Sequence, residues 1–433
     1  MAATLETLID AQPQGHSLSR AFYCDLDLFA LDIERVFRRR WLLLDHASRI
    51  PRRGDYFVTE VAGESLIVVR DENDAISVLF NVCRHRGSRV CLEKSGHAAR
   101  FVCPYHAWSY GLDGRLLAAR QMPEGFDRQS SGLRRCQVEV VEGLIFVCLG
   151  DEPALDFGPV RRAITPFVEL HGIAHAKVAA RETFRTQANW KLVVENFLEC
   201  YHCLHAHPEY CTVNAVVKLI ANASPQASAE YLGYWEKWKA GRDAASLAEV
   251  IVSSSPSDET FDPRRPYAIA HASLRTGGEC KAVYAALRTP INEGYLSMTQ
   301  DGRPVAPLMG RFKEFDGGKT SVSVDYIGRM TAANDYAALF RFVPVSPGVT
   351  DFEIIWLVRE DAVEGKNYDI ERLTWLWHVT TAQDKVLAEN NQRGVESHAY
   401  VPGPYSLLED SVNRFVQWYL EQVDPRFECE ASP

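Results

Sequence analysis

The sequence predicts an α+β protein in which an N-terminal antiparallel β domain precedes a larger mixed α+β domain, and three observations carry that expectation. From about Tyr56 to Gly150, seven short β-branched or aromatic runs alternate with Gly, Asp and Asn turns. Between Asp151 and Val160, the residues Pro153, Gly158 and Pro159 break the pattern. Beyond them, helical and strand periodicities interleave. A length of 433 residues, at roughly 150 per domain, allows two or three domains. The expected division is an N-terminal helical segment at 1–45, the β domain at 46–155 and the mixed domain at 156–433.

Leu28, Phe29, Ile33, Val36 and Phe37 recur at helical spacing, which predicts one helix from Asp25 to Trp41 capped by Asp25 or Asp27. The β runs are Tyr56–Val61, Ser65–Val69, Ile76–Asn81, Arg100–Val102, Trp108–Tyr110, Gln137–Val141 and Leu144–Leu149. A helical segment then reaches Leu170. Strands are expected at Lys177–Thr186, Ser321–Ile327, Ala338–Val343 and Phe352–Val358, with helices at Asn189–His205 and Tyr368–Gln392. The polar stretch Ser253–Arg265 reads as a mobile loop. Gly318-Lys319-Thr320 looks like part of a phosphate-binding loop, but position 313 is Lys rather than the required Gly, so a hairpin turn is expected.

Composition removes several classes of function. Hydrophobic residues at 46% and charged residues at 24% exclude a disordered chain. A net charge of -10 offers no broad cationic surface for nucleic acid or anionic lipid. Apolar runs such as Leu66–Val69 and Leu144–Leu149 are far shorter than the roughly 20 residues of a membrane span, and Glu6 and Asp10 stand where a signal peptide would have its core. A cytoplasmic protein is expected. Its 11 cysteines should then be thiols, metal ligands or core residues rather than a disulfide framework.

Two loops of the β domain each pair one cysteine with one histidine. Asn81-Val82-Cys83-Arg84-His85-Arg86-Gly87 follows the third β run, and Cys103-Pro104-Tyr105-His106-Ala107-Trp108 follows the fourth. Facing loops of this kind can place both thiolates on one iron and both imidazoles on the other, the Rieske [2Fe-2S] arrangement that passes single electrons. Zinc also accepts two Cys and two His, but its sites more often group Cys-x2–4-Cys apart from His-x3–5-His. Here each loop mixes the two types, and Gly87 and Pro104 suit tight turns. Cys91 and His97 match neither spacing and stay outside the site.

The segment Glu195-Asn196-Phe197-Leu198-Glu199-Cys200-Tyr201-His202-Cys203-Leu204-His205-Ala206-His207-Pro208 is the densest cluster of metal-competent side chains. Two of its imidazoles with a distant carboxylate would form a 2-His-1-carboxylate triad, which leaves positions on Fe(II) open for O2. On an ideal helix His202 and His207 stand about 140° apart and cannot share a metal without a π-bulge or unwinding ahead of Pro208. His202 and His205 need no distortion, so geometry leaves both pairs open. Asp384, after the apolar stretch Trp375–Ala382, is a candidate carboxylate, although spacing alone favours a solvated helix-face carboxylate beside Lys385.

These two motifs in this order resemble the catalytic α subunit of Rieske non-haem iron oxygenases along nearly the whole chain. The resemblance implies Cys83, His85, Cys103 and His106 as cluster ligands, and His202, His207 and Asp384 as ligands of a mononuclear Fe(II). It leaves His205 a hydrogen-bonding role and Glu195 a structural one. Glu199 matches the carboxylate that bridges the two centres by contacting a cluster histidine, here His106, of a neighbouring subunit; many family members carry Asp there, and a Glu is similar to the carnitine oxygenases. Homotrimeric assembly follows from the same resemblance. Glu195–Cys203 and Glu389-Asn390-Asn391-Gln392-Arg393-Gly394 look like the branch acting on quaternary ammonium compounds such as betaines, carnitine and choline. N-demethylation or monooxygenation of such a compound is expected, with an aromatic ring-hydroxylating dioxygenase as the alternative. Aromatic faces would hold the cation; none of the chain's aromatic residues is singled out. No Gly-x-Gly-x-x-Gly follows a strand, so NAD(P)H and flavin should act only through a separate reductase, with or without a ferredoxin.

Overall fold

The structure, a computed structural model, describes residues 4–150, 155–215, 225–240 and 283–426. Short helices Leu5–Asp10 (α1), Arg20–Cys24 (α2) and Leu26–Asp32 (α3) open the chain. Asp25 caps α3 as expected, accepting from the backbone N–H of Asp27 and Leu28. The predicted single helix to Trp41 does not form. A π-helical turn, Ile33–Phe37, succeeds α3, and Leu42–His46 (β1) is already a strand, so the segment cut at residue 45 ends inside a sheet.

Asp55–Val61 (β2), Glu64–Arg70 (β3), Ile76–Phe80 (β4) and Ser95–His97 (β5) form an antiparallel sheet of order β4-β3-β2-β5. Phe101–Val102 (β6), Ser109–Tyr110 (β7) and Leu116–Ala118 (β8) form a second, small meander. Gln137–Val141 (β9) and Leu144–Cys148 (β10) pair with each other and with β1. All seven predicted β runs are strands; β1, β5 and β8 were not anticipated. The core under the two metal-motif loops joins Ile67, Val69, Leu79, Phe101, Trp108 and Tyr110.

The second region is built on one six-stranded antiparallel sheet. Its strands are Ala176–Thr186 (β11), Tyr284–Pro290 (β12), Gly318–Val324 (β13), Gly328–Ala332 (β14), Tyr336–Ser346 (β15) and Val349–Arg359 (β16), ordered β11-β16-β15-β14-β13-β12. Gly318-Lys319-Thr320 therefore begins β13 and is not the expected hairpin turn; the turn precedes it, at Gly317 with φ +63°. The sheet has two apolar faces. Val322, Val324, Met330 and Leu339 pack with Gly158–Leu170 (α4) on one. Phe340, Phe342, Phe352 and Ile354 face the functional helices on the other.

Trp190–Leu198 (α5) is capped by Asn189, whose side chain accepts from the N–H of Lys191. Cys203–Ala206 (α6), Pro208–Val213 (α7) and Pro225–Ala240 (α8) follow. The long helix Ile370–Glu396 (α9), capped by Asp369, and Asp410–Val423 (α10) complete the layer. Trp190 is fully buried, edge-on to Phe37 at 4.9 Å, and truncating such a side chain costs about 3–5 kcal/mol. Asp32 accepts from Trp190 Nε1 at 2.9 Å and Tyr419 Oη at 2.7 Å, and pairs with the buried Lys191. That network fixes α5 against α3 and α10. The loop expected at Ser253–Arg265 lies outside the described residues. No helix among the described residues is long and apolar enough to cross a membrane.

Candidate metal centres and electron path

The two Cys-His loops fold alike. In each, a backbone N–H four residues on returns to the cysteine carbonyl, Gly87 to Cys83 and Ala107 to Cys103, both at 3.0 Å. Both closing residues adopt left-handed backbone, φ +76° and +58°, a conformation glycine takes without cost and alanine does not. The paired turns bury Cys83 and Cys103 against each other and leave His85 and His106 exposed. The two Nδ1 atoms stand 3.1 Å apart. Divalent first-row ions take imidazole at about 2.1 Å, which separates neighbouring donors by about 3 Å, so these rings are spaced for one iron. Trp108 stacks on His85 at 4.9 Å and 9°. Tyr110, which the motif spacing does not flag, places its hydroxyl 3.1 Å from Cys83 Sγ, and hydrogen bonds to cluster sulfurs tune the potential. His97 bonds Asp55 at 2.9 Å and the Cys91 carbonyl accepts from Asn81, both apart from the loops.

The expected helix Asn189–His205 breaks. Glu199 is extended, with φ -129° and ψ 168°, and His207 at φ -129° and ψ 67° separates α6 from α7. The two imidazoles meet through these breaks and not through a π-bulge. His202 Nε2 and His207 Nε2 lie 3.1 Å apart; Asp384 Oδ1 is 2.8 Å from the second and 3.4 Å from the first. Three donors at these separations suit adjacent positions on a single ion. His205 does not join them: it is exposed and, among the described residues, its side chain has no hydrogen-bond partner, contrary to the expected role. Asp384 is 18% exposed and sits on the buried stripe of α9 with Leu376, Thr380, Thr381 and Ala388, not on a solvated face.

Each imidazole is held by its other nitrogen. His207 Nδ1–H donates to Gln383 Oε1 at 2.8 Å, while Gln383 Nε2 donates to Glu209 Oε2 at 2.8 Å, which fixes the amide orientation. Both Nε2 atoms are thereby turned to the metal position. His202 Nδ1 pairs with Glu199 Oε1. Burial pulls the His202 imidazolium down, but Asp384 and Glu199 outweigh it and its pKa is pushed up to about 9. Burial likewise pushes the Asp384 carboxyl up, and the two imidazoles more than reverse this, holding it below the ordinary value. Among the described residues Glu199 contacts His202 and the Tyr201 backbone but neither cluster histidine. Glu195 accepts from Tyr23 Oη at 2.9 Å, a structural contact. Cys200 and Cys203 are disulfide-bonded, against the expectation of free thiols, with their Cα atoms 4.8 Å apart, within the range a disulfide spans.

Residues 40–139 match the Rieske [2Fe-2S] domain family, and residues 173–274 and 330–425 match the catalytic domain of ring-hydroxylating α subunits. The chain is 38% identical over 425 residues to the glycine betaine monooxygenase oxygenase subunit of Chromohalobacter salexigens, covering 97% of this chain and 89% of the relative. The chain belongs to the Rieske non-haem iron oxygenases. The corresponding subunit of Pseudomonas aeruginosa is 35% identical, across 96% of this chain and 91% of its own. A solved quaternary ammonium Rieske monooxygenase shares the fold, with TM-score 0.68 and 21% identity over 96% of this chain and 98% of that one. A Rieske oxygenase uses a [2Fe-2S] cluster and a non-haem iron, and the two constellations of this chain offer one donor set of the right chemistry for each.

Proposed function

We propose that this protein is the oxygenase component of a system that hydroxylates an N-methyl carbon of a small quaternary ammonium compound of the betaine type. The observation that carries the reading is the likeness to a glycine betaine monooxygenase oxygenase subunit along 97% of the chain. It favours an N-methyl over an arene substrate. In the balanced reaction, O2, two electrons and two protons convert one N–CH3 to N–CH2OH and water, and the hydroxymethyl group leaves as formaldehyde.

Residues 46–155 form the cluster domain in this reading and 156–433 the catalytic domain. Cys83, Cys103, His85 and His106 would hold the cluster; His202, His207 and Asp384 would hold Fe(II). The cluster supplies single electrons, and the iron supplies open positions where O2 meets the substrate. Gln383 and Glu199 keep the two imidazoles in the tautomer that binds metal. NAD(P)H and flavin belong to a separate reductase, with or without a ferredoxin, and the protein acts in the cytoplasm.

Electrons cross between subunits of a homotrimer, from His106 of one chain past Glu199 to the iron ligands of the next. The exposed cluster histidines support this, as do two apolar surfaces: Val82, Val102 and Tyr105 around the cluster, and Tyr201 and Leu204 beside the iron site. Contacts of unlike surfaces close into rings. Co-expressing Cys83→Ser with His207→Ala chains, each inactive alone, should restore part of the activity in mixed rings; inactive mixed rings would rule out the cross-subunit path. The substrate reading is tested by supplying a surrogate reductase and following O2 uptake and formaldehyde over betaines and arenes. Coupled uptake with arenes alone would overturn it.

A further inference from the structure

The sheet face opposite α4 carries a charge arrangement found nowhere else in the described structure. Five Lys or Arg residues are buried there and elsewhere: Arg40, Lys191, Arg288, Lys319 and Arg341. Four of them pair with a carboxylate, Asp325, Asp32, Asp316 and Glu353 respectively. Lys319 does not. Its ammonium donates to Asn214 Oδ1 and stands 5.7 Å from the centre of the Tyr210 ring, with no carboxylate in reach among the described residues.

Strand alternation sets where Lys319 points. Thr320 and Val322 turn toward α4, the former bonding His171 at 2.7 Å, so Lys319, Ser321 and Ser323 turn the other way. Ser323 is directly opposite Arg329 on β14. The Arg329 guanidinium lies 5.2 Å from the Phe197 ring of α5, and its Nε and one Nη are shielded from solvent without a hydrogen-bond partner. Ser321, between the two cations on this face, is exposed although both its neighbours are buried, so there is open space before them. Tyr210 ties the face to the iron site, with its ring 6.4 Å from that of His207.

A buried cation without a counter-charge is costly, and a protein keeps one where something else brings the anion. We propose that Lys319, assisted by Arg329, forms an anion subsite that takes the carboxylate of a zwitterionic substrate while its trimethylammonium end is turned toward the iron. This rests on the betaine reading above and deepens it, since one group of that class, the carboxylate, separates betaines from choline-like cations. Burial pulls the Lys319 ammonium down to about 8, as expected for a charge awaiting its partner.

The test is calorimetric binding to the iron- and cluster-loaded protein of three probes: glycine betaine, its carbon isostere tert-butylacetate, and tetramethylammonium, which has no carboxylate. Lys319→Met should weaken the first two by about 20-fold or more and tetramethylammonium by less than about two-fold, and Lys319→Arg should recover most of the affinity. Arg329→Gln should show the same pattern with a smaller effect, which keeps the test available if Lys319→Met does not fold. Equal weakening of all three probes would assign Lys319 a structural role and overturn the subsite, as would no weakening at all. Tert-butylacetate bound through Lys319 in a protein that releases no formaldehyde from any betaine would uphold the anion subsite and sink the betaine reading alone. Formaldehyde from glycine betaine with unaltered binding in both variants would do the reverse.

Discussion

The two candidate metal centres are built on opposite plans. Around the cluster, four donors come from two tight turns closed by backbone hydrogen bonds, with the histidines in the open. Around the iron, the donors come from a broken helix and from α9, 177 residues further along, and each imidazole is steadied by another side chain. Backbone fixes the first site; side chains fix the second. Substitutions beside the first should therefore act through turn strain, and those beside the second through ligand orientation.

The largest effect should separate the two centres outright. Cys83→Ser should give a protein without the visible absorption and EPR signal of a histidine-ligated cluster, whereas His207→Ala should keep both and lose turnover. A colourless His207→Ala protein would mean that the centres are not independent. Next in size is Gln383→Leu, which leaves every ligand in place but removes the partner of His207 Nδ1. Fe(II) affinity, read by titration, should fall about 10–100-fold with the cluster spectrum unchanged; an unchanged affinity would show that side chains do not set this site.

A third test uses pH. Burial pushes Glu195 on the iron-site helix up to about 8 from an ordinary 4.5, against the partial offset of Tyr23 and Lys191. The folded state therefore holds a proton that the unfolded chain has released, and stability is lost as pH rises between those two values. Relative to Glu195→Gln, the wild type should lose roughly 1–3 kcal/mol from pH 5 to pH 8 in thermal melts; parallel profiles would contradict this. The smallest effect belongs to the cluster. Gly87→Ala should cost about 1 kcal/mol and Ala107→Gly should cost nothing or stabilise, because both positions are left-handed. Denaturant midpoints of the two variants measure it.

The same contrast decides what could be read from the amino acids. The cluster motif was legible because Cys83, His85, Cys103 and His106 lie on short loops whose spacing is their geometry. The helix break at Glu199 was not: no Gly or Pro stands between Asn189 and Ala206, and tertiary packing overrides a good helical pattern. Asp384 was half legible, since its place with Leu376, Thr380 and Ala388 is a 3–4 periodicity visible in the sequence. Tyr110, Gln383 and Lys319 carry no local signal. Strand β12 escaped because Tyr284–Pro290 lacks clean alternation of apolar and polar residues, and β14 because Gly328–Ala332, though alternating, is only five residues long.

The distance along the chain between His207 and Asp384 also orders events in time. Closing a loop of 177 residues costs entropy that only the finished packing of α9 on α5 repays, so contacts of this range form slowly and late. The Cys-His turns each close over a handful of residues, and Cys83 and Cys103 stand only 20 residues apart along the chain. A newly made chain can thus present the four candidate cluster donors while its three candidate iron donors are still strangers to one another, so that a metal held by all three would be captured only by a chain that has already folded.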